Sequence, residues 1–126
     1  MASFHALQNY KQQAFNTMSR GELVTALYDG AIKNINLSVR FLKDGPQDAA
    51  DQCMEKAQKI FSYLCDSLDS QYGVSQNLYR LYRFFYQEII KAQIKKDSAP
   101  LEEILPLVED LRNTWMQAEK LSHSQK

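Results

Sequence analysis

The sequence places apolar residues at helical spacing along four long segments and one short one. We find no sustained alternation of the kind that indicates β-strands. Only four glycines and three prolines interrupt the chain, so its helices are long and its turns few. Short connections between long amphipathic helices favour antiparallel neighbours. The sequence therefore predicts an all-α protein, an antiparallel up-down four-helix bundle with a short N-terminal helical arm.

Capping and turn residues mark where these helices begin and end. Ser19 and Glu22 have the spacing of a capping box, in which each side chain satisfies a free backbone N–H at a helix start. The first long helix is expected to end near Gly45, because glycine accepts the left-handed conformation and Pro46 cannot continue the hydrogen-bond ladder. Further breaks at 70–73 and 97–100 separate the remaining three helices.

The chain length fits one compact domain. We expect the second helix over about 47–70 and the third over about 74–96. The fourth contains Pro106, so it either kinks there or begins its regular part there. We assign residues 1–17 to the arm, 18–120 to the bundle and 121–126 to a disordered tail.

The charge balance excludes two classes of partner. Lysine and arginine total 15 against 15 aspartate and glutamate, which leaves no net field to attract nucleic acid or anionic lipid. No apolar run approaches the about 18 residues of a membrane span, and the N-terminus lacks the pattern of a secretion signal. We expect a cytoplasmic protein that binds no nucleic acid and does not insert into a membrane.

The residues that carry catalytic chemistry are few and dispersed. His5 and His123 lie in the terminal segments, where solvated side chains are the common case. Cys53 and Cys65 fall on one helix, roughly 18 Å apart, which is too far for a disulfide bond. We predict that both are reduced core residues. We therefore predict no catalytic residues, no metal site and no cofactor, and a protein that is not an enzyme.

The first long helix carries more apolar surface than the stripe of about 100° that a bundle core needs. Its apolar residues cover roughly half of its circumference, and Ala26, Gly30 and Leu37 extend the arc to about two thirds. The arc contains Leu23, Val24, Leu27, Tyr28, Ala31, Ile32, Ile35, Val39, Phe41 and Leu42. The polar strip contains Glu22, Thr25, Asp29, Lys33, Asn36 and Arg40.

Two small residues one turn apart, Ala26 and Gly30, predict a shallow trough on this helix. Its walls would be Leu23, Leu27, Leu37 and Phe41. Such a trough is typical of a groove that accepts another helix. The alternative is a helix with neighbours on several sides of the core, and the sequence favours neither interpretation over the other.

Phe84 stands apart on the third helix. It projects into that helix's polar strip, between arginines, so it should be exposed in an isolated monomer. An aromatic side chain flanked by arginine is typical of an interface anchor, although single exposed aromatics are also normal in soluble proteins.

Leu27-Tyr28-Asp29-Gly30-Ala31-Ile32, after a Ser-capped helix start, resembles the signature of the flagellar export chaperone family FliS. Further similarities follow in order, among them Leu81-Tyr82 and Leu111-Arg112-Asn113-Thr114-Trp115. The resemblance covers about residues 10–118. Arg20, where the family has proline, and Tyr72-Gly73, where it has a glycine pair, depart from the pattern in a cap and a turn.

The resemblance implies a cytoplasmic chaperone that binds the disordered C-terminal segment of flagellin. Such a chaperone prevents early polymerisation and delivers its client to a component of the flagellar export gate, as a monomer or weak dimer. Within the motif it implies Leu23, Leu27, Tyr28 and Gly30 as partner-binding residues, to which the projection adds Ala26, Leu37, Phe41 and Phe84. The alternative is a structural protein that self-associates through the same surface.

The N-terminal arm places Leu7 and Tyr10 on its apolar side. So short a helix is marginal alone, and we expect it to cover the groove until a client displaces it. Removing residues 1–16 should then tighten the binding of a flagellin peptide, measured by calorimetric titration. Weaker binding would show instead that Leu7 and Tyr10 contact the client. Unchanged affinity would show that the arm docks elsewhere or acts only at the export gate.

Overall fold

The computed structural model describes residues 19–68 and 73–124, which form four α-helices and, over those residues, no strand. This confirms the predicted all-α class. The helices are α1 (Arg20–Asp44), α2 (Gln47–Asp66), α3 (Gly73–Lys95) and α4 (Ala99–Ser124). The N-terminal arm and its Leu7 and Tyr10 lie outside the described residues.

Both predicted signals at the ends of α1 are confirmed. Ser19 Oγ accepts a hydrogen bond from the backbone N–H of Glu22 at 3.1 Å, and the Glu22 carboxylate accepts one from the N–H of Ser19 at 3.4 Å. At the other end Gly45 has φ 77°, and its N–H donates to the carbonyl of Phe41 at 2.7 Å. A residue with a Cβ is strained at that φ, so glycine fixes the end of α1.

Helix α2 ends at Asp66, earlier than the predicted 70. Its last turn tightens, because the N–H of Leu68 donates to the carbonyl of Cys65 and the Ser67 hydroxyl donates to the carbonyl of Leu64 at 2.9 Å. These bonds satisfy carbonyls that a further helical turn would otherwise have used. Apolar periodicity does not show such a hydrogen bond from a serine to the carbonyl three residues earlier.

Helix α4 begins at Ala99 and continues through Pro106, so the alternative in which its regular part begins at Pro106 is wrong. Pro106 is exposed, and the carbonyl of Glu102 that it leaves without an N–H partner lies on the solvent side, where water can bond it. The helix extends to Ser124, beyond the predicted end of the bundle at 120. No glycine or proline follows Pro106 to stop it.

The four helices pack in a ring. Each contacts the next along the chain, and α4 closes the ring against α1. The core lies on the axis of this ring and takes residues from every helix. Its members are Tyr28, Ala31, Ile35, Ala50, Met54, Ala57, Phe61, Leu64, Tyr82, Phe85, Ile89, Ala92, Leu101, Ile104 and Val108.

A hydrogen bond crosses the core on the diagonal of the ring. The hydroxyls of Tyr28 on α1 and Tyr82 on α3 lie 2.5 Å apart, and both side chains are buried. Phe61 of α2 packs on Tyr82 with ring centroids 6.2 Å apart, and Trp115 of α4 meets Tyr28 edge-on at 6.5 Å. Four aromatic residues, one from each helix, therefore hold the bundle together at one level.

Burial keeps both hydroxyls protonated. It raises the pKa of Tyr28 above the usual 10.0, while the bond with Tyr82 lowers that pKa by a smaller amount. Burial also raises the pKa of Tyr82, and the bond with Tyr28 raises it further. Because the folded pKa values exceed the unfolded ones, this pair's contribution to stability is complete below pH 10 and is lost as the pH rises through the folded values.

We expect Tyr28→Phe and Tyr82→Phe to be coupled. Each single change leaves the other hydroxyl buried without its bond, at a cost of about 1–3 kcal/mol, whereas the double change removes both hydroxyls and should cost less than the sum of the two. Urea unfolding followed by circular dichroism measures the cycle. Tyr63→Phe removes an exposed hydroxyl and is the matched control, with an expected change within about 0.5 kcal/mol. Additive costs would contradict the coupling.

Candidate partner-binding surface

Helix α1 presents an apolar surface on the side turned away from the core. Leu23, Ala26 and Leu37 are half-buried and lie outside the core cluster. Leu37 follows Tyr28 by nine residues, which on an α-helix places it about 180° from that inward-facing side chain. These three residues are therefore the part of the predicted arc that the core does not use.

The polar strip of α1 is confirmed and lies toward α4. Five of its six members are exposed, and Thr25 is half-buried. Asp29 in this strip pairs with Arg112 of α4 at 2.8 Å, and Lys43 near the end of α1 pairs with Glu102 of α4 at 2.7 Å. Because α4 borders this strip, the apolar surface of α1 lies beside the strip on the side of the helix toward α2.

Two contacts set the antiparallel register of α1 and α2. An ideal Cβ built on Gly30 would lie 3.3 Å from Ile60 Cδ1, and Arg20 Nη2 donates to the carbonyl of Ser67 at 3.5 Å. Gly30 therefore allows the two helices to approach closely. This corrects the sequence interpretation, in which Gly30 formed the floor of an open trough, because Ile60 already fills the space over it.

This register brings a residue of α2 to the surface that the sequence analysis missed. Tyr63 is 51% exposed, and the two contacts place it at the level of residues 23–27 of α1. It follows the buried Phe61 by two residues, so it lies about 200° around α2 from the core. The same helical projection applied to α2 would have found it. We define the α1–α2 face as Leu23, Ala26, Leu37, Ile60 and Tyr63.

Three of the predicted site residues contact the interior, and one of them is buried in it. Tyr28 is 1% exposed and has no surface to offer a partner, which corrects its assignment as a contact residue. Leu27 and Phe41 are partly buried and pack against the core, as Ile60 of the α1–α2 face also does, so they offer a partner only part of their side chains. The broad apolar arc of α1 thus also packs against two neighbouring helices. For Leu27, Tyr28 and Phe41 this agrees with the alternative interpretation, a helix with neighbours on several sides of the core.

Phe84 is exposed as predicted, at 42%. Its ring packs on Phe85 with centroids 6.0 Å apart, yet it does not join the α1–α2 face. Tyr82 points across the core to α1, and Phe84, two residues further on, lies about 200° around α3 from it. The structure therefore separates Phe84 from the α1 residues with which the sequence analysis grouped it.

The two cysteines occupy the positions predicted for them on α2. Cys53 is buried, Cys65 is half-buried, and both are free thiols. Burial raises the pKa of the Cys65 thiol, so at neutral pH it is not a thiolate nucleophile. Within the described stretches no histidine, cysteine and carboxylate side chains cluster as metal ligands do. Over the same residues no helix combines the length and apolar character of a membrane span.

A four-helix bundle with apolar surface that its core does not use is typical of helical binding proteins. Comparison with known proteins gives the family. The family model described as flagellar protein FliS matches residues 3–122, nearly the whole chain. The chain therefore belongs to the FliS family of flagellar secretion chaperones, as the motif of α1 predicted.

Individual relatives agree with this assignment. The flagellar secretion chaperone FliS of Bacillus subtilis strain 168 is 32% identical over 117 residues, which cover 90% of this chain and 88% of the relative. The Escherichia coli K12 protein of the same name is 27% identical over 110 residues, covering 85% and 81%. That of Salmonella typhimurium LT2 is 27% identical over 109 residues, covering 84% and 81%.

Proposed function

We propose that this chain binds the disordered C-terminal segment of flagellin on the α1–α2 face and holds it until export. The observation that carries the proposal is the half-buried apolar surface formed by Leu23, Ala26 and Leu37 on the side of α1 away from the core. Tyr63 adds an exposed aromatic ring whose hydroxyl keeps the free surface soluble. Membership of the family supports flagellin as the client.

The physical basis is coupled folding and binding. A disordered segment that becomes an amphipathic helix on this face buries its apolar side against α1 and α2. Ordering the segment costs several kcal/mol, which offsets part of the free energy of burial and leaves the complex able to release its client. While the segment is covered it is not free to assemble with other flagellin molecules, so polymerisation waits for export.

The remaining parts of the proposal concern place and assembly. The chaperone acts in the cytoplasm, where flagellin is made, and passes its client to a component of the export gate. It needs no catalytic group or cofactor, because binding and release are its whole chemistry. It is a monomer or weak dimer. Self-association through the α1–α2 face is the competing function, and it would produce an oligomer that persists on dilution and that a flagellin peptide does not dissociate.

Calorimetric titration of the full chain with a flagellin C-terminal peptide tests the proposal. Leu37→Asp should weaken binding at least about tenfold, because a carboxylate then faces the apolar side of the client. Asn36→Asp places the same carboxylate one residue away on the exposed polar strip, and its affinity should stay within about twofold of the parent chain.

Stability measurements accompany this titration. Leu37→Asp should keep its helical circular dichroism, whereas Phe41→Asp should lose several kcal/mol because Phe41 packs against the core. If Leu37→Asp and Asn36→Asp bound the peptide with equal affinity, the client would not bind on the α1–α2 face. No binding to the parent chain would overturn flagellin as the client.

A further inference from the structure

The charges of this neutral chain are separated between two neighbouring helices. The sequence of α3 contains four basic residues and one acidic residue, while that of α4 contains five acidic residues and two basic ones. The single acid of α3, Glu88, lies 3.7 Å from Lys91 and is paired with it. Two arginines of α3, Arg80 and Arg83, are exposed. The surface of α3 is therefore strongly positive although the chain as a whole is not.

A groove follows the line where α3 packs against α2. It consists of three adjoining cavities of about 550, 160 and 290 Å³. The first and second share Cys65 and Tyr79 as walls, and the second and third share Ser62 and Tyr86, so the three form one continuous depression. It runs beside α3 from Gln76 to Tyr86, a length of about 15 Å.

The α3 wall of this groove combines aromatic rings with cationic groups. Tyr79, Arg83 and Tyr86 line it at i, i+4 and i+7, which places them along one side of the helix, and Arg80 lines the widest cavity. Tyr79 is 47% exposed. Among the residues that the structure describes, neither arginine has a carboxylate within 4.0 Å. Both guanidinium groups are available to an external carboxylate.

We propose that the α2–α3 groove binds an acidic amphipathic helix of a partner protein, and that this site is separate from the α1–α2 face. The tyrosine rings offer apolar area to one side of such a helix, and Arg80 and Arg83 pair with carboxylates on its flank. The groove length accommodates about three turns of an α-helix. The α2 wall is mixed in charge, with Asp66 and Glu55 against Lys59. The preference for an acidic helix over a basic one therefore rests on Arg80 and Arg83 of the α3 wall.

A second copy of this chain does not supply such a helix. The acidic helix α4 carries Glu102, Glu103, Glu109 and Asp110 on its exposed side. Its apolar stripe of Leu101, Ile104 and Val108 is fully buried in its own core, and its exposed leucines, Leu107 and Leu121, lie about 21 Å apart along the helix, farther than the groove is long. Because that stripe is not available to enter a groove on another copy, the complementary helix comes from a different protein.

The proposed site and the α1–α2 face lie on different sides of α2. Ile60 meets Gly30 of α1, whereas Gln58 Nε2 donates to Gln93 Oε1 of α3 at 2.7 Å on the other side. Along α2 the two surfaces adjoin, since Lys59 and Ser62 of the groove are helical neighbours of Tyr63 on the α1–α2 face. Each occupant contacts a different neighbour of α2, α1 for the client and α3 for the acidic helix, so we expect the chain to hold both partners at once.

A pair of synthetic helical peptides tests the charge argument. Both have the same leucine stripe, and one carries glutamate where the other carries lysine. The glutamate peptide should bind the full chain more tightly than the lysine peptide, measured by fluorescence anisotropy at low salt. Arg80→Glu with Arg83→Glu should reverse this preference and weaken the glutamate peptide at least about tenfold.

Lys95→Glu is the matched control, since Lys95 is exposed on α3 but does not line the groove. Its affinity for the glutamate peptide should stay within about twofold of the parent chain. The proposal would be overturned if the two peptides bound equally or if neither bound. It would also be overturned if the Arg80→Glu, Arg83→Glu double variant bound the glutamate peptide as tightly as Lys95→Glu does.

Cys65 locates the bound peptide without any substitution. Because this thiol lines the groove, the glutamate peptide should slow its alkylation by iodoacetamide at alkaline pH. Cys53, buried on the side of α2 away from the groove, is the internal reference and should react slowly with or without peptide. Binding without protection of Cys65 would overturn the location.

The double reversal at Arg80 and Arg83 should leave the affinity for the flagellin C-terminal peptide unchanged. This measurement separates the present proposal from the proposed function. If the double variant binds neither the flagellin peptide nor the glutamate peptide, the groove is part of the client site. The proposal of a separate site is then overturned. If the parent chain binds the glutamate peptide but no flagellin peptide, the proposed function fails and the groove stands.

Discussion

The hydrogen bond between Tyr28 and Tyr82 fixes the rotation of two helices about their own axes. Both hydroxyls are buried, so each ring must point to the axis of the bundle or leave a polar group without a partner. On α1 this turns Leu37, about 180° away, to the outside. On α3 it turns Arg80 and Phe84 outward, because each lies two residues from Tyr82. One interior bond thus sets the direction of both outer surfaces.

These surfaces differ in chemistry although they share α2. The α1–α2 face is apolar with one exposed tyrosine, whereas the α2–α3 groove combines tyrosines with two arginines. The two proposals assign a different partner to each surface, and two surfaces of different character would prevent either partner from occupying the place of the other. The net charge of zero conceals this arrangement, since the positive α3 and the negative α4 cancel.

The sequence predicted the fold well because the signals for it are local. The Ser19 capping box and Gly45 act within one helical turn, and both ends of α1 are where they were expected. The end of α2 was predicted too late because the Ser67 hydroxyl, rather than a glycine or proline, closes the last turn. The family motif was recognised in α1, although its Tyr28 serves the core and not the surface.

The candidate site was predicted only in part, because periodicity identifies apolar residues but not the neighbours that cover them. Ala26 and Leu37 remain at the surface, while Ile60 fills the space over Gly30, and Phe41 packs inward. Which side of α1 meets α2 depends on the packing of the whole bundle. Tyr63 was not predicted because the apolar stripe of α2 is narrow and Tyr63 lies outside it, as a single exposed aromatic residue.

The central claim is that the surface of α1 facing away from the core receives the flagellin segment. Methyl NMR of the full chain, titrated with a flagellin C-terminal peptide, tests it most directly. The account predicts that methyl signals of Leu23, Leu37 and Ile60 shift on binding, while those of Ile94 and Leu107, exposed on α3 and α4, remain in place. Shifts at Ile94 and Leu107 with none at Leu23 and Leu37 would contradict it.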